Sequence, residues 1–314
     1  MRSLPILLAL LGLVAAAALV VWFDAGEVWR ALLSVGWSGA LALLLWQALL
    51  FVILGLAWAS VQPRQPVLRL IWGRMVRDAA TVCLPFSPVG GYVIGVRAVT
   101  LRGTPWTEAA AGTVVDVTGE LCAQLLFALF GLLILLAVRP GSDLVVPIGL
   151  GLLIGFLLLL VVLWQRAHVG CVVHALAGRL LGANAAAHGG FERLHAEMAR
   201  LYAKRARLLL GTALHLCGWF ATGIGTWISL RLLHHPAPIV GVLALEALLD
   251  AAVAVAFVVP GAVGVQEAGY VGLGAVFGVP PEIALGVSLL RRAREVAWGL
   301  PVLGLWQWQE VRRL

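Results

Sequence analysis

The sequence predicts an all-α polytopic membrane protein, on the basis of three observations. Of its 314 residues, 62% are hydrophobic and only 12% are charged, and the mean hydropathy is +1.00. Several apolar stretches reach the roughly 20 residues that a helix needs to cross a bilayer. Two further stretches carry Gly and Pro residues that would break a membrane helix. We therefore expect about 7–8 transmembrane helices and two broken, re-entrant-like segments.

The apolar stretches follow one another along most of the chain. The predicted spans are 4–23, 38–60, 111–138, 144–164, 208–230, 238–259 and 282–306. The first resembles a signal peptide because Arg2 precedes it, but its apolar run is long for that role and no polar mature domain follows. We interpret residues 4–23 as an anchor helix within a single integral membrane domain that covers residues 1–314.

Basic residues are concentrated in two connecting segments, 61–77 and 166–207. The first carries Arg64, Arg69, Arg74 and Arg77, and the second carries seven Arg or Lys residues against Glu192 and Glu197. Because basic loops stay in the cytoplasm, both segments are expected there, and the N-terminus with them.

The second basic segment also contains apolar residues at helical spacing. These are Phe191, Leu194, Met198, Leu201, Tyr202 and Leu208. They predict an amphipathic helix, which would lie with its apolar face on the anionic inner leaflet or, alternatively, serve as a solvated connector.

The chain repeats the outline of its broken segment. LPFSPVGGYVIGVRAVTLRGTPWTE (84–108) and VPGAVGVQEAGYVGLGAVFGVPPE (259–282) each have a Pro, a Val-Gly, an apolar stretch with spaced glycines, and a Gly-x-Pro before the next helix. We predict repeat units at about 61–138 and 238–310. The backbone breaks are assigned to Pro85, Pro88, Gly90, Gly91, Pro260, Gly261 and Gly264.

The relative direction of the two units stays open at this point. If residues 260–280 cross the membrane, the units are inverted, the chain has eight membrane segments, and the C-terminus lies inside, as the positive-inside rule prefers. If they re-enter and leave on one side, the C-terminus lies outside. The basic C-terminal residues favour the crossing.

Ionisable residues recur at matched positions inside the apolar helices. Asp116 and Glu120 follow Pro105 at the same offsets at which Arg291 and Glu295 follow Pro280. Each charge at the bilayer centre costs about 2.5–3.5 kcal/mol, so these groups must pair or face water. Two interpretations remain: an ion-pair lock, or a site for a substrate or proton. The candidate residues are Asp116, Glu120, Glu246, Asp250, Arg291, Arg292, Arg294 and Glu295.

Motifs for catalysis or metal binding are weak. Four cysteines are widely separated without a CxxC, the histidines form no HExxH, and there is no Walker motif. The GWSG at 36–39 fits a short protease motif but has no suitably placed His. We therefore expect no catalytic residues, no cofactor, no metal and no nucleic-acid partner.

The two broken segments and their following helices resemble the lysylphosphatidylglycerol synthetase transmembrane-region family, the flippase-like domain. The first signature region contains Pro85, Gly90, Gly91, Arg97 and Asp116; the second contains Pro260, Gly261, Gly264 and Glu267, with Ala262 in place of a glycine. The length and the PFSPVGG form are most similar to stand-alone members associated with hopanoid biosynthesis.

The resemblance implies a function in moving lipids between leaflets of a bacterial inner membrane. Fused members of the family carry a soluble aminoacyl-transfer domain that this sequence lacks, so lysyl transfer is not expected. We predict a flippase for an anionic or lipid-linked amphiphile, with Arg97 near the mouth of its path and Glu267 among the polar groups of the site. The alternatives are a membrane transferase with Asp116 or Glu267 as base, and a non-catalytic partner of hopanoid or envelope-lipid biosynthetic proteins.

Overall fold

A computed structural model describes residues 33–84, 88–165, 185–256, 259 and 262–312. These residues form helices and the turns next to them, and no strand occurs among them. The helices are α1 Gly36–Val61, α2 Val67–Cys83, α3 Pro88–Thr100, α4 Trp106–Val138, α5 Val145–Gln165, α6 Ala185–Tyr202, α7 Arg205–Leu232, α8 Ile239–Val255, α9 Val265–Val276 and α10 Pro281–Val311. The predicted span 4–23 and the breaks at Pro85, Pro260 and Gly261 lie outside the described residues. Gly90 and Gly91, which were also expected to break the helix, do not do so, because both lie within α3.

The predicted spans from residue 38 onward each coincide with a helix. Within the described residues, α1, α4 and α7 are long and apolar enough to cross a membrane, and the apolar helix Val145–Val161 within α5 is shorter. Helix α10 has 31 residues but carries the charged sequence RRARE near its middle. Many large apolar side chains of α1, α4 and α5 point outward. The chain is therefore a multi-pass α-helical membrane protein.

Helices α2 and α3 form an antiparallel hairpin. Gly73 of α2 lies against Val99, and Gly91 of α3 lies so close that an added Cβ would be 2.9 Å from the carbonyl oxygen of Arg77. A side chain at Gly91 therefore has no room. At 13 residues, α3 is about 20 Å long and returns the chain to the end of the bundle where α2 begins.

Helices α8 and α9 form a second hairpin of the same kind. Gly241 near the start of α8 faces Phe277 just after α9, and Gly269 packs on Leu249. Residues 265–276 thus run back toward the start of α8 instead of continuing across the bundle. The sequence predicts separate crossings by 238–259 and 260–280, whereas α8 ends at Val255 and pairs with α9.

The two hairpins open at opposite ends of the bundle. Helices α1 to α4 have 26, 17, 13 and 33 residues, and α7 to α10 have 28, 17, 12 and 31. Each long helix packs on the first hairpin helix of the other set. Gly299 of α10 lies against Ala79 of α2, and Gly131 of α4 lies against Ala247 of α8.

One end of the bundle, here called the basic end, collects most of the exposed Arg and Lys residues. The connections 62–66 and 101–105 meet there, since Gln65 and Arg69 both hydrogen-bond to Thr104. The start of α7 joins them through Arg207 and Ser60, and the C-terminal end of α10 joins through Arg97 and Glu310. The end of α10 therefore lies with the basic connections, the side that the positive-inside rule prefers for it.

The amphipathic helix α6 buries its apolar face against the protein. Met198 and Leu201 belong to a buried cluster with Trp58, Leu70 and Val115. Neither the expected placement on the lipid surface nor a solvated connector describes this helix, because the apolar residues cover α4 and its neighbours.

Candidate functional site

Two arginines of α2 form the first charged network of the interior. Arg77, 2% exposed, donates to Asp116 Oδ2 at 3.0 Å and to Glu120 Oε2 at 2.8 Å. Arg74 donates to Glu120 Oε1 at 2.7 Å and to Asp78 Oδ2 at 2.8 Å. The basic segment 61–77 predicts a cytoplasmic loop for Arg74 and Arg77, which is wrong because both residues lie within α2. Their spacing at i and i+3, with Asp78 at i+4, was the signal for one polar face of a helix.

A histidine and a tyrosine complete the first network. His215 Nε2 of α7 lies 2.8 Å from Asp116 Oδ1, and the guanidinium carbon of Arg77 lies 4.9 Å from the centre of the Tyr92 ring. His215 is buried, and its Nδ1 has no hydrogen-bond partner among the described residues. Neither residue was among the predicted site residues.

Arg291 of α10 centres the second network. It donates to Glu246 and to Asp250 of α8, the latter at 3.2 Å, and to Glu295 one turn along α10 at 3.1 Å. The Tyr270 hydroxyl of α9 donates to Glu246 Oε2 at 3.0 Å. Glu246 is fully buried, so these contacts compensate its removal from water.

The two networks occupy matching positions in the two helix sets. Arg74 and Glu246 both lie seven residues after the start of their helix, and Asp78 and Asp250 lie eleven residues after it. The later position is an Asp in both helices. The earlier position carries opposite charges, since it is Arg74 in α2 and Glu246 in α8.

The long helices α4 and α10 also carry ionisable residues at matching positions, and the earlier position again has opposite charges in the two helices. Asp116 and Arg291 each lie ten residues after the start of the long helix, and Glu120 and Glu295 lie fourteen residues after it. Arg77 and Arg291 therefore each pair with carboxylates of their own helix set. The acidic residues do not form the single expected cluster with Arg291, Arg292 and Arg294.

Arg292 and Glu267 form a separate pair on another side of α10. Arg292 Nε donates to Glu267 Oε1 at 2.6 Å, and Ser288 Oγ donates to the same oxygen at 3.3 Å. The other carboxylate oxygen accepts the backbone N–H of Gly264 at 2.7 Å, and Gly264 has φ +83°, which favours glycine. Glu267 thus caps α9 and holds it to α10.

A cavity of about 270 Å³ lies between the two networks. One wall belongs to α2, α3 and α4, another to α10, and the rest to α1 and α7. Its charged or aromatic lining residues are Phe51, Arg74, Arg77, Asp78, Tyr92, Glu120, Trp219, Arg291, Arg294 and Glu295. Both helix sets therefore present ionisable groups to one space.

Arg294 differs from the other arginines of the cavity. It is 7% exposed, its Nε has no hydrogen-bond partner, and it forms no ion pair with any residue that the structure describes. Its guanidinium lies beside α7, where a Cβ on Gly225 would be 3.0 Å from Nη1. A buried cation that lacks an ion-pair partner among the described residues is costly, which makes Arg294 the position where an anion gains most.

The structure separates the predicted site residues into three groups. Glu120, Arg291, Arg294 and Glu295 line the cavity; Asp116, Glu246 and Asp250 lie behind its arginines; Glu267, Arg292, Gly264, Gly90, Gly91, Pro88 and Arg97 lie elsewhere. Arg97 is half exposed at the basic end and pairs with Glu310 at 2.6 Å, so it does not mark the mouth of this cavity.

Comparison with known proteins identifies the family. No metal-binding group of His, Cys, Asp and Glu occurs among the residues described. No curated protein and no solved structure matches the chain. A family model, lysylphosphatidylglycerol synthase TM region, matches residues 9–304, while the narrower resemblance to hopanoid-associated members stays a prediction. The chain therefore belongs to the lysylphosphatidylglycerol synthase transmembrane-region family.

Proposed function

We propose that this protein moves the head group of an anionic or lipid-linked amphiphile between membrane leaflets through the cavity between α2 and α10. The lipid is a phospholipid, a hopanoid-related lipid or a polyprenyl phosphate. The observation that supports this proposal best is Arg294, a buried cation with no ion-pair partner among the described residues, which faces a space of about 270 Å³. Guanidinium groups bind phosphate with two parallel hydrogen bonds.

The arrangement of the hairpins supports a transport function. Two broken helical segments that enter from opposite ends are typical of transporters built from inverted repeats. We infer that α1 to α4 and α7 to α10 are such units, larger than the predicted 61–138 and 238–310 because α1 and α7 correspond as well. Both hairpins are re-entrant in this proposal.

We propose a location in the bacterial inner membrane with the basic end in the cytoplasm. This end carries Arg64, Arg69, Arg102, Arg193, Lys204, Arg205 and Arg312. Basic connections stay on the cytoplasmic side, which places both α6 and the end of α10 there. With the predicted anchor helix 4–23, the N-terminus is also cytoplasmic.

The paired charges have a supporting function in this proposal. Asp116 and Glu120 hold Arg77, while Glu246 and Asp250 hold Arg291, so these arginines are already compensated. They keep the walls in place and make the cavity polar. Arg294 is then the principal contact for the phosphate.

A transport assay with a matched control tests the proposal. Purified Arg294→Gln protein is reconstituted in vesicles with a fluorescent anionic phospholipid, and exposure of the label to an external quencher is followed with time. We expect at least about tenfold slower transbilayer movement, because the buried cation that binds the phosphate is lost. Arg97→Gln, outside the cavity, should move lipid at the wild-type rate. Equal rates for wild type and Arg294→Gln would contradict the proposal.

A non-catalytic function as a partner in lipid biosynthesis is the second candidate. The extensive pairing around Arg77 and Arg291 favours it, because an ion-pair lock needs no substrate. The informative exchange is Arg77→Asp with Asp116→Arg, since these two side chains touch. Restored assembly without lipid movement would favour the lock. We do not propose a transferase, because neither Asp116 nor Glu267 lines the cavity.

A further inference from the structure

The basic end has a second cleft, apart from the central cavity. Its lining residues are Leu101, Arg102, Trp308, Gln309 and Arg312. The stretch of α10 from Gly299, which lines the cavity, to Arg312 is about 20 Å long at the helical rise. The two spaces are therefore separate sites, and a ligand of the second cleft does not touch Arg294.

Two arginines of this cleft are stacked on tryptophans. The guanidinium carbon of Arg102 lies 4.8 Å from the centre of the Trp72 ring, and that of Arg312 lies 3.7 Å from the centre of the Trp308 ring. Stacking fixes the plane of a guanidinium and leaves its N–H edge available to an oxyanion. Neither arginine forms an ion pair within the described part of the chain.

The surroundings of the cleft add positive charge. Arg69 donates to Gln65 and to Thr104, neither of which carries a compensating charge. Partial burial and the nearby Arg69 lower the pKa of Arg102. The adjacent Arg97 is already neutralised by Glu310. An excess of cationic groups thus remains at Arg69, Arg102 and Arg312.

The position of the cleft indicates which anion it binds. Trp side chains are enriched at the level of lipid head groups, and basic pockets on the cytoplasmic side bind anionic lipids. We propose that the cleft binds the phosphodiester of one anionic membrane phospholipid between Arg102 and Arg312, with its acyl chains along the apolar surface of α10. This lipid is a resident of the interface and is distinct from the transported molecule.

Lipid binding to delipidated protein tests this site. Wild type and the double variant Arg102→Gln, Arg312→Gln are titrated with phosphatidylglycerol in detergent, and the lipid-bound species are counted by native mass spectrometry. One of the lipids that the wild type binds should bind at least about tenfold more weakly in the double variant, whereas a lipid bound at Arg294 should be retained. Arg64→Gln, an exposed change at the same end, should leave lipid binding unchanged. Arg312→Gln alone should weaken binding about threefold or more, and serves if the double variant is poorly folded.

A second arm separates lipid from free phosphate. Inorganic phosphate in large excess over phosphatidylglycerol should not displace the lipid from wild type, because it lacks the acyl chains. Displacement by inorganic phosphate, or wild-type affinity in the arginine variants, would overturn the proposal. Since the variants retain Arg294, they should still move lipid between leaflets; loss of lipid binding with normal transport is the expected result.

Discussion

Arg294 and Arg77 line the same cavity, yet their removal should change stability in opposite directions. Arg77 is compensated by Asp116 and Glu120, and Arg294 has no carboxylate partner among the residues described. Replacing Arg77 by Met leaves buried carboxylates uncompensated, which costs about 3–5 kcal/mol of unfolding free energy. Replacing Arg294 by Met removes an unpaired cation and keeps much of its volume, so we expect a gain.

The expected gain follows from the cost of burying a charge. An arginine at the centre of a membrane helix costs about 2.5–3.5 kcal/mol on insertion scales. Part of this cost is already offset by the field of the adjacent Glu295, so Arg294→Met should raise the unfolding free energy by about 1–3 kcal/mol. A residue that destabilises the folded protein when no anion is bound is consistent with an anion-binding function.

Unfolding by sodium dodecyl sulfate in mixed micelles, followed by circular dichroism, measures both variants. Arg97→Met is the control, because its pair with Glu310 is half exposed and its removal should leave the unfolding midpoint unchanged. If Arg294→Met destabilises the protein as much as Arg77→Met does, Arg294 is compensated in the folded protein and the reasoning fails.

Three further predictions concern the helices that frame the cavity. Gly91→Val should cost about 1–3 kcal/mol in the same unfolding experiment, because a side chain there meets Thr81, whereas Gly272→Ala, which has open space, should be tolerated. Leu201→Ala should cost about 2–5 kcal/mol and speed tryptic cleavage of α6, since Leu201 is 2% exposed; unchanged cleavage would place α6 off the bundle. Glu267→Gln should cost about 1.5–3 kcal/mol by weakening the α9 cap and its arginine bridge, and a midpoint equal to wild type would argue against that bridge.

The helices themselves were predictable, and the direction of the broken segments was not. Apolar run length placed α1, α4, α5, α7 and α10, because crossing a bilayer requires a minimum helix length. Helices α3 and α9 are shorter than this minimum, so the length of an apolar run does not predict them. Whether a short helix continues or turns back depends on close packing, as at Gly91 and Gly269, which sequence spacing alone does not reveal.

The sequence alone does not reveal the charged residues that α2 places in the interior of the protein. Arg74 and Arg77 follow a polar connection and were assigned to it, although they lie within α2. Sequence hydropathy averages over a helix and gives little weight to one polar stripe. The polar stripe of α2 can be recognised as buried only in the folded protein, where it pairs with Asp116 and Glu120 of α4.

The sequence by itself determined that the chain is a multi-pass membrane protein and that its interior charges need partners. The tertiary structure decided which partners they have. Successive residues of a helix point about 100° apart, so Arg291, Arg292 and Arg294 of one short run face different neighbours. Arg291 faces α8, Arg292 faces Glu267, and Arg294 faces the cavity with no described ion-pair partner. Only the packing of the surrounding helices fixes that difference, because a charge is compensated by what lies within a few ångströms of it.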